Sequence, residues 1–153
     1  LVSGSNNLIL GYQAQASTTS VSNQVTIGNS SNNAYRMFAA SWTNASDSKY
    51  KHAIADIPSA VDFVNKLRPV EFVYNHANNE EKSYGFIAQE MKEAVASSNL
   101  PNSGLVQNMD ADHLGIKTTE LIPFLTKAIQ EQQAQIDELK KMIGKRKFKK
   151  HKK

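Results

Sequence analysis

Isoleucine recurs at positions 122, 129, 136 and 143, with Leu125 and Leu139 falling between. The intervals along Ile122, Leu125, Ile129, Ile136, Leu139 and Ile143 are 3, 4, 7, 3 and 4. That is a heptad seam with isoleucine at every a position. A strand, with its period of two, would scatter these residues over both faces; a helix gathers them into one stripe. The spacing predicts a helix from Thr119, a capping residue, with Pro123 near its first turn, to Ile143. A stripe this narrow on so long a helix calls for partner helices more than for a globular core. A single amphipathic helix packed on its own domain is the competing reading. Gln132 takes the d position between Leu125 and Leu139, where a polar residue costs stability and sets register and oligomer state. The predicted interface is Ile122, Leu125, Ile129, Gln132, Ile136 and Leu139. Leu121, Phe124 and Glu120, at the start, are expected to touch the helix's own domain.

The N-terminal residues are built differently. "SNNLILG" (5–11) and "SNQVTIG" (22–28) are near copies at a 17-residue offset. Each has Ser-Asn, a short apolar strand and Gly. One strand and one polar turn per repeat is the pattern of stacked β-solenoids. Two rungs cannot bury a core alone, so they need neighbours upstream or in partner chains. A simple hairpin is the alternative.

Between these ends the texture changes. "AYRMFAASW" reads as a strand holding the only Trp, and "TNASDS" as a loop. From residue 57 a mixed α/β domain begins. Asp56 is placed to cap a helix with Pro58 in its first turn, an apolar face of Ala60, Val61, Val64 and Leu67, and a stop at Pro69. "PVEFVYN" (69–75) and "SYGFIA" (83–88) read as a hairpin across the turn "HANNEEK". "AQEMKEAVASS" (88–98) reads as a short helix with Met91, Ala94 and Val95 inward. "GLVQN" and "HLGIK" are short strands joined by the acidic turn "MDAD".

Composition removes several functions. With no cysteine, disulfides and cysteine metal sites are excluded. No apolar run approaches the roughly 18–20 residues that span a bilayer. "LVSGSNNLIL" lacks Met and a signal pattern, and reads as the middle of a longer chain. The net charge of +4 divides unevenly. Residues 140–153 hold nine of the 18 Lys and Arg and no acid; residues 1–139 carry nine basic and 14 acidic groups, net −5. A nucleic-acid face on the body is therefore unsupported. The tail alone is suited to non-specific contact with phosphate, or simply to solvation.

"ASDSKYKHAI" (45–54) sets a Ser-Asp pair just ahead of Lys51. Either this is a polar linker with a capping serine, or Ser46 and Lys51 react. Three stretches bear on the choice. "SDSKYKHAI" (46–54) resembles the Ser-Asp-x-Arg/Lys-Leu/Tyr-Lys opening of the peptidase S74 domain. "YGFIAQEMKEAV" (84–95) resembles its Gly-Phe-Ile-Ala-Gln-Glu core motif. "LIPFLTKAIQEQQAQIDEL" (121–139) resembles its C-terminal coiled-coil helix. The resemblance covers residues 46–143. The family is also called the intramolecular chaperone of endosialidases. It ends phage tail spikes, tail fibres and neck appendages, and some cellular transcription factors.

The resemblance implies a homotrimer that registers three nascent chains for β-helix folding and then releases itself by cutting Ser46–Asp47. The catalytic residues implied are Ser46 and Lys51, a Ser-Lys variant of triad logic, with no metal and no cofactor. Lys51 must be neutral to act, which calls for burial or a cationic neighbour, and Lys49 is such a neighbour. His52 and Glu90 are possible supporting residues. Ser46 Oγ attacking its own carbonyl would close a four-membered ring. Attack on the Ala45 carbonyl would cut before Ser46. A hydroxyl of another chain, or a water on Lys51, is the remaining route to the Ser46 carbonyl.

The expected architecture is α+β: the end of a trimeric β-helix-like fibre stem over 1–46, an α+β chaperone core over 47–117, a trimeric coiled-coil helix over 118–144 and a basic tail over 145–153. The partners are the chain's own copies and the upstream fibre of the same polypeptide, with no membrane. The setting implied is a virion precursor assembled in the host cytoplasm. The "AVASSNLPNSG" loop (94–104) is more polar than the family's usual apolar-proline ending, and the basic tail is not in its pattern. A permanent, non-cleaving trimeric tip is the alternative function.

Overall fold

The structure is a computed structural model that describes residues 3–29, 31–32, 38, 43–75, 80–98, 100 and 103–150, the last six of these by backbone alone. Among the described residues the element order is mixed α/β, with three two-stranded sheets and one long C-terminal helix. The strand expected over "AYRMFAASW" lies mostly outside the described residues, as do Trp42 and residues 76–79 of the "HANNEEK" turn. The chain divides into two compact units. One comprises Leu1–Ala55, Pro69–Gly85 and Asn108–Gly115; the other Asp56–Arg68, Phe86–Gln107 and Ile116–Lys153.

In the first unit, β1 (Leu8–Leu10) pairs with β2 (Val25–Ile27). The pairing is parallel, with Leu8 opposite Val25, Ile9 opposite Thr26 and Leu10 opposite Ile27. The register equals the repeat offset, and a hairpin would have run antiparallel. Equivalent side chains stack at the same offset. Asn6 Nδ2 donates to Asn23 Oδ1 at 2.7 Å, and Asn29 Nδ2 to the Tyr12 carbonyl at 2.8 Å. The Gln24 N–H donates to Asn7 Oδ1 at 2.9 Å. The repeat also explains its non-apolar letters. Asn6 and Asn23 both lie at positive φ, 54° and 61°, as do Gly11 and Gly28, 123° and 79°. Asn and Gly are the residues that tolerate this region. A Cβ on Gly11 would sit 3.3 Å from the Gly28 backbone, so the two glycines also set how closely the repeats approach.

The same unit holds the hairpin of β3 (Val70–Phe72) and β4 (Ser83–Gly85), antiparallel with Glu71 opposite Tyr84. Lys82 reaches Glu71 at 2.6 Å, and the Phe72 and Tyr74 rings meet edge to face at 5.0 Å.

The second unit carries the core. Phe63, Met91, Ala94, Leu105 and Leu121 form one buried cluster, with Val64, Leu67, Phe86, Val95 and Phe124 against it. Helix α2 (Ala88–Ala96) turns Met91 and Ala94 inward, as its periodicity predicts. Lys66 Nζ donates to the Ser97 carbonyl at 2.7 Å, satisfying an orphan acceptor at the helix end. The first unit's Asn108–Gly115 segment holds the turn between β5 (Val106–Asn108) and β6 (Leu114–Ile116), which pair with each other; in it Asp110 Oδ1 accepts from the Asp112 and His113 N–H groups at 2.9 Å each. Those bonds and the His113 ring hold the Asp110 carboxyl below the usual carboxylate range.

The helix expected after Asp56 is a single turn, α1 (Val61–Val64), with Ala60 at its N-cap and no capping side chain from the adjacent sequence. Asp56 lies outside the helix and does not cap it. The cap comes from far along the chain. Glu131 Oε2 accepts from the Ala60 and Val61 N–H groups at 3.2 and 3.1 Å and from Ser59 Oγ at 3.3 Å. Those donors hold the Glu131 carboxyl below its ordinary range. The helix is one turn long, yet the expected face still turns inward: Ala60 is fully buried and Val64 and Leu67 pack against the core. Phe63 is buried beside them, its ring 5.0 Å from that of Phe124.

Helix α3 (Leu121–Lys150) begins after a 3-10 turn over Thr118–Glu120, so Thr119 lies inside that turn and is not the cap. The helix continues past Ile143 into the basic segment. It has two apolar faces. Leu121, Phe124 and Ala128 face the core. The heptad face does not: Ile122 and Ile129 are 60% and 66% exposed, and Leu125, Ile136, Leu139 and Ile143 are exposed too. Beyond Glu131 every described side chain through Ile143 is exposed.

Candidate active site

The 46–51 segment is folded by a single 3-10 turn, Ser48–Tyr50. Asp47 is its N-cap, at φ −59° and ψ 140°, and its Oδ1 accepts from the Lys49 N–H at 2.9 Å. The Tyr50 N–H donates to the Asp47 carbonyl and the Lys51 N–H to the Ser48 carbonyl, each at 3.0 Å. Lys51 follows in an extended conformation. Its Nζ donates to Ser46 Oγ at 2.7 Å. The serine and lysine singled out in the sequence are therefore in contact within one chain. The turn is capped by Asp47, where the linker reading assigned the cap to the serine. No periodic signal encodes so short a turn; the readable sign was an Asp just before "SKY".

The segment is exposed throughout, His52 included. Two large side chains beside the pair, Tyr50 and Ile54, are 76% and 73% exposed. After His52 the backbone turns through Ala53 at φ 51°. A left-handed alanine costs about 1–2 kcal/mol, so something beyond local preference holds this bend.

Glu90, considered as a supporting residue, is engaged elsewhere. Arg68 grips its carboxylate with two hydrogen bonds, Nε to Oε2 at 3.0 Å and Nη2 to Oε1. The bidentate geometry holds Glu90 below the ordinary carboxylate range and pushes Arg68 up. Its place is the start of α2, where an anion is favoured by the helix dipole. His113 is paired with Asp110 through Nδ1 at 2.8 Å. His76 and His151 lie outside the described residues.

Residues 46–105 match the family model described as chaperone of endosialidase. A search of curated proteins gives no match. The matched segment opens on Ser46 and closes on the fully buried Leu105. Helix α3, which the resemblance included, lies beyond it.

Proposed function

We propose that this chain, whose residues 46–105 match the family model described as chaperone of endosialidase, is a C-terminal intramolecular chaperone. It would trimerise through α3, hold three copies of the upstream fibre in register, and then cut itself free at Ser46–Asp47. The observation that carries this reading is the 2.7 Å contact between Lys51 Nζ and Ser46 Oγ at the first residue of the family segment.

The exposed seam of α3 supports the trimer. A bare amphipathic helix is marginal in water, and covering each isoleucine or leucine contributes on the order of 1–2 kcal/mol. The repeats at 5–11 and 22–28 fit the final rungs of a β-helical stem. Their parallel register is the one such a stem uses, and their apolar side chains still await cover. On this reading the protein is phage-associated, the chain up to Ser46 stays with a virion fibre, and residues 47–153 leave.

The reaction is hydrolysis of one peptide bond in a single turnover. Neutral Lys51 takes the proton of the attacking hydroxyl. The tetrahedral intermediate collapses, the Ser46 carbon–Asp47 nitrogen bond breaks, and the proton passes to the departing nitrogen. If the nucleophile is a serine, water then hydrolyses the ester. Ring strain forbids Ser46 Oγ from reaching its own carbonyl. The hydroxyl delivered there belongs to another chain or to a water on Lys51, and both routes suit an assembled trimer. A lysine acts as a base only without its proton, a form favoured by removal from water. The exposed Tyr50 and Ile54 mark the surface that partner chains would cover.

The test is the intact mass of the purified chain beside Ser46→Ala and Lys51→Ala. Wild type should yield fragments meeting at Ser46–Asp47 while both variants stay whole. A wild-type trimer that remains whole under assembly conditions would make the domain a permanent tip.

A further inference from the structure

Two residues five apart are not neighbours by default. In an extended chain residues 46 and 51 stand roughly 17 Å apart, beyond the reach of a lysine side chain. Their contact depends on the one turn between them, and that turn has one side-chain cap, Asp47 Oδ1 on the Lys49 N–H. Among the described residues Asp47 forms no ion pair with Lys51. The carboxylate acts on the backbone, not on the base.

From this geometry we infer that Asp47 is a positioning residue, assembling the Ser46–Lys51 pair by capping the turn and supplying no charge to the chemistry. The inference rests on the self-cleavage reading and assigns a role to the residue whose nitrogen departs. It also explains why the device works once. Before the cut, the peptide joining Ser46 to the cap ties the serine to the lysine. After the cut, Asp47 and the turn remain with the released chain and Ser46 goes with the stem. Nothing covalent then returns the serine to Lys51.

A cap demands an acceptor oxygen at the right reach, not a charge. Asparagine caps as well as aspartate, and alanine does not. The turn can also be favoured from the other side. Proline at the first helical position pre-sets the helical φ and restricts the residue before it to extended geometry. Asp47 already has that geometry, and no hydrogen bond of the turn uses the Ser48 N–H.

The experiment follows self-cleavage by intact mass against time, across pH, in the full chain, with trimer content measured by sedimentation. The variants are Asp47→Asn, Asp47→Ala and Asp47→Ala with Ser48→Pro. Loss of a cap lowers the population of a turn by a factor of about 2–30. Asp47→Ala should therefore cut more slowly by that factor while remaining trimeric. Asp47→Asn should cut at close to the wild-type rate with an unmoved pH profile. Adding Ser48→Pro should recover part of the alanine variant's loss. Asparagine as slow as alanine, or alanine as fast as wild type, overturns the inference. Hydrogen exchange at the Lys49 amide, in chains held whole by Ser46→Ala, reads the cap without cutting. Protection that survives Asp47→Asn and is lost in Asp47→Ala supports it; equal protection in both overturns it. If wild type never cuts, the self-cleavage reading falls, and the Lys49 amide still decides the cap.

Discussion

Strands β1 and β2 keep Leu8, Leu10, Val25 and Ile27 exposed, whereas the unit around α2 withdraws Phe63, Met91 and Leu105 almost completely. The paired strands hold together through backbone bonds and a polar ladder between identical repeat positions. The other unit holds together by exclusion of water, with polar groups used as local ties such as Glu131 on α1 and Lys66 on α2. The first design fixes register and leaves its apolar side chains exposed; the second closes a core within one chain. Helix α3 repeats the contrast along its own length. Leu121, Phe124 and Ala128 belong to the finished core, while the heptad face stands bare. The proposed function, a chaperone that folds first and then organises less self-sufficient chains, would need that division.

The contrast can be attacked most directly at the seam. Leu139→Asp should turn trimers into monomers in a sedimentation run and abolish cutting, while leaving the core unit folded. A monomer that cuts at the wild-type rate would break the link between assembly and cleavage. Within the finished core, Phe63→Ala should cost about 3–5 kcal/mol in a denaturant titration. Leu10→Ala in the same monomeric chain should change stability by less than about 0.5 kcal/mol, because its side chain is mostly exposed.

Glu131→Gln tests the tie between α3 and α1 and should lower the melting temperature at pH 7. The folded carboxyl is depressed, so its stabilising effect is complete above the ordinary glutamate value of about 4.3. It is lost as pH falls through the depressed folded value. The gap between wild type and Glu131→Gln should therefore narrow below about pH 4. A gap independent of pH would mean that the side chain acts by shape alone. A small effect of the opposite sign is expected at Ala53, where Ala53→Gly should gain about 0.5–1 kcal/mol by relieving the left-handed bend. Slower cutting in that variant would show that the bend serves the dyad.

Much of this was legible because its signals are periodic or local. A 17-residue repeat names the pairing register of β1 and β2, since each repeat meets its own copy. Met91 and Ala94 follow from the spacing of α2. The seam of α3 was readable for the same reason. The cap on α1 was not. Asp56 carried the local signature, but the acceptor is Glu131, some 70 residues on. Phe63 was missed although it stands three residues after Ala60 and four before Leu67, on the face whose spacing already pointed inward. The partner of Glu90, a possible supporting residue, was not readable either: it is Arg68, 22 residues away.

The sequence by itself determined the order of parts, the repeat register, the heptad face and the Ser46–Lys51 pair within its family motif. Each is written in residues close together or evenly spaced, and short-range sterics and burial read such patterns directly. Tertiary structure alone decided which carboxylate caps α1 and which cation grips Glu90. Those outcomes depend on segments brought together only when the core closes, and no spacing along the chain records that meeting.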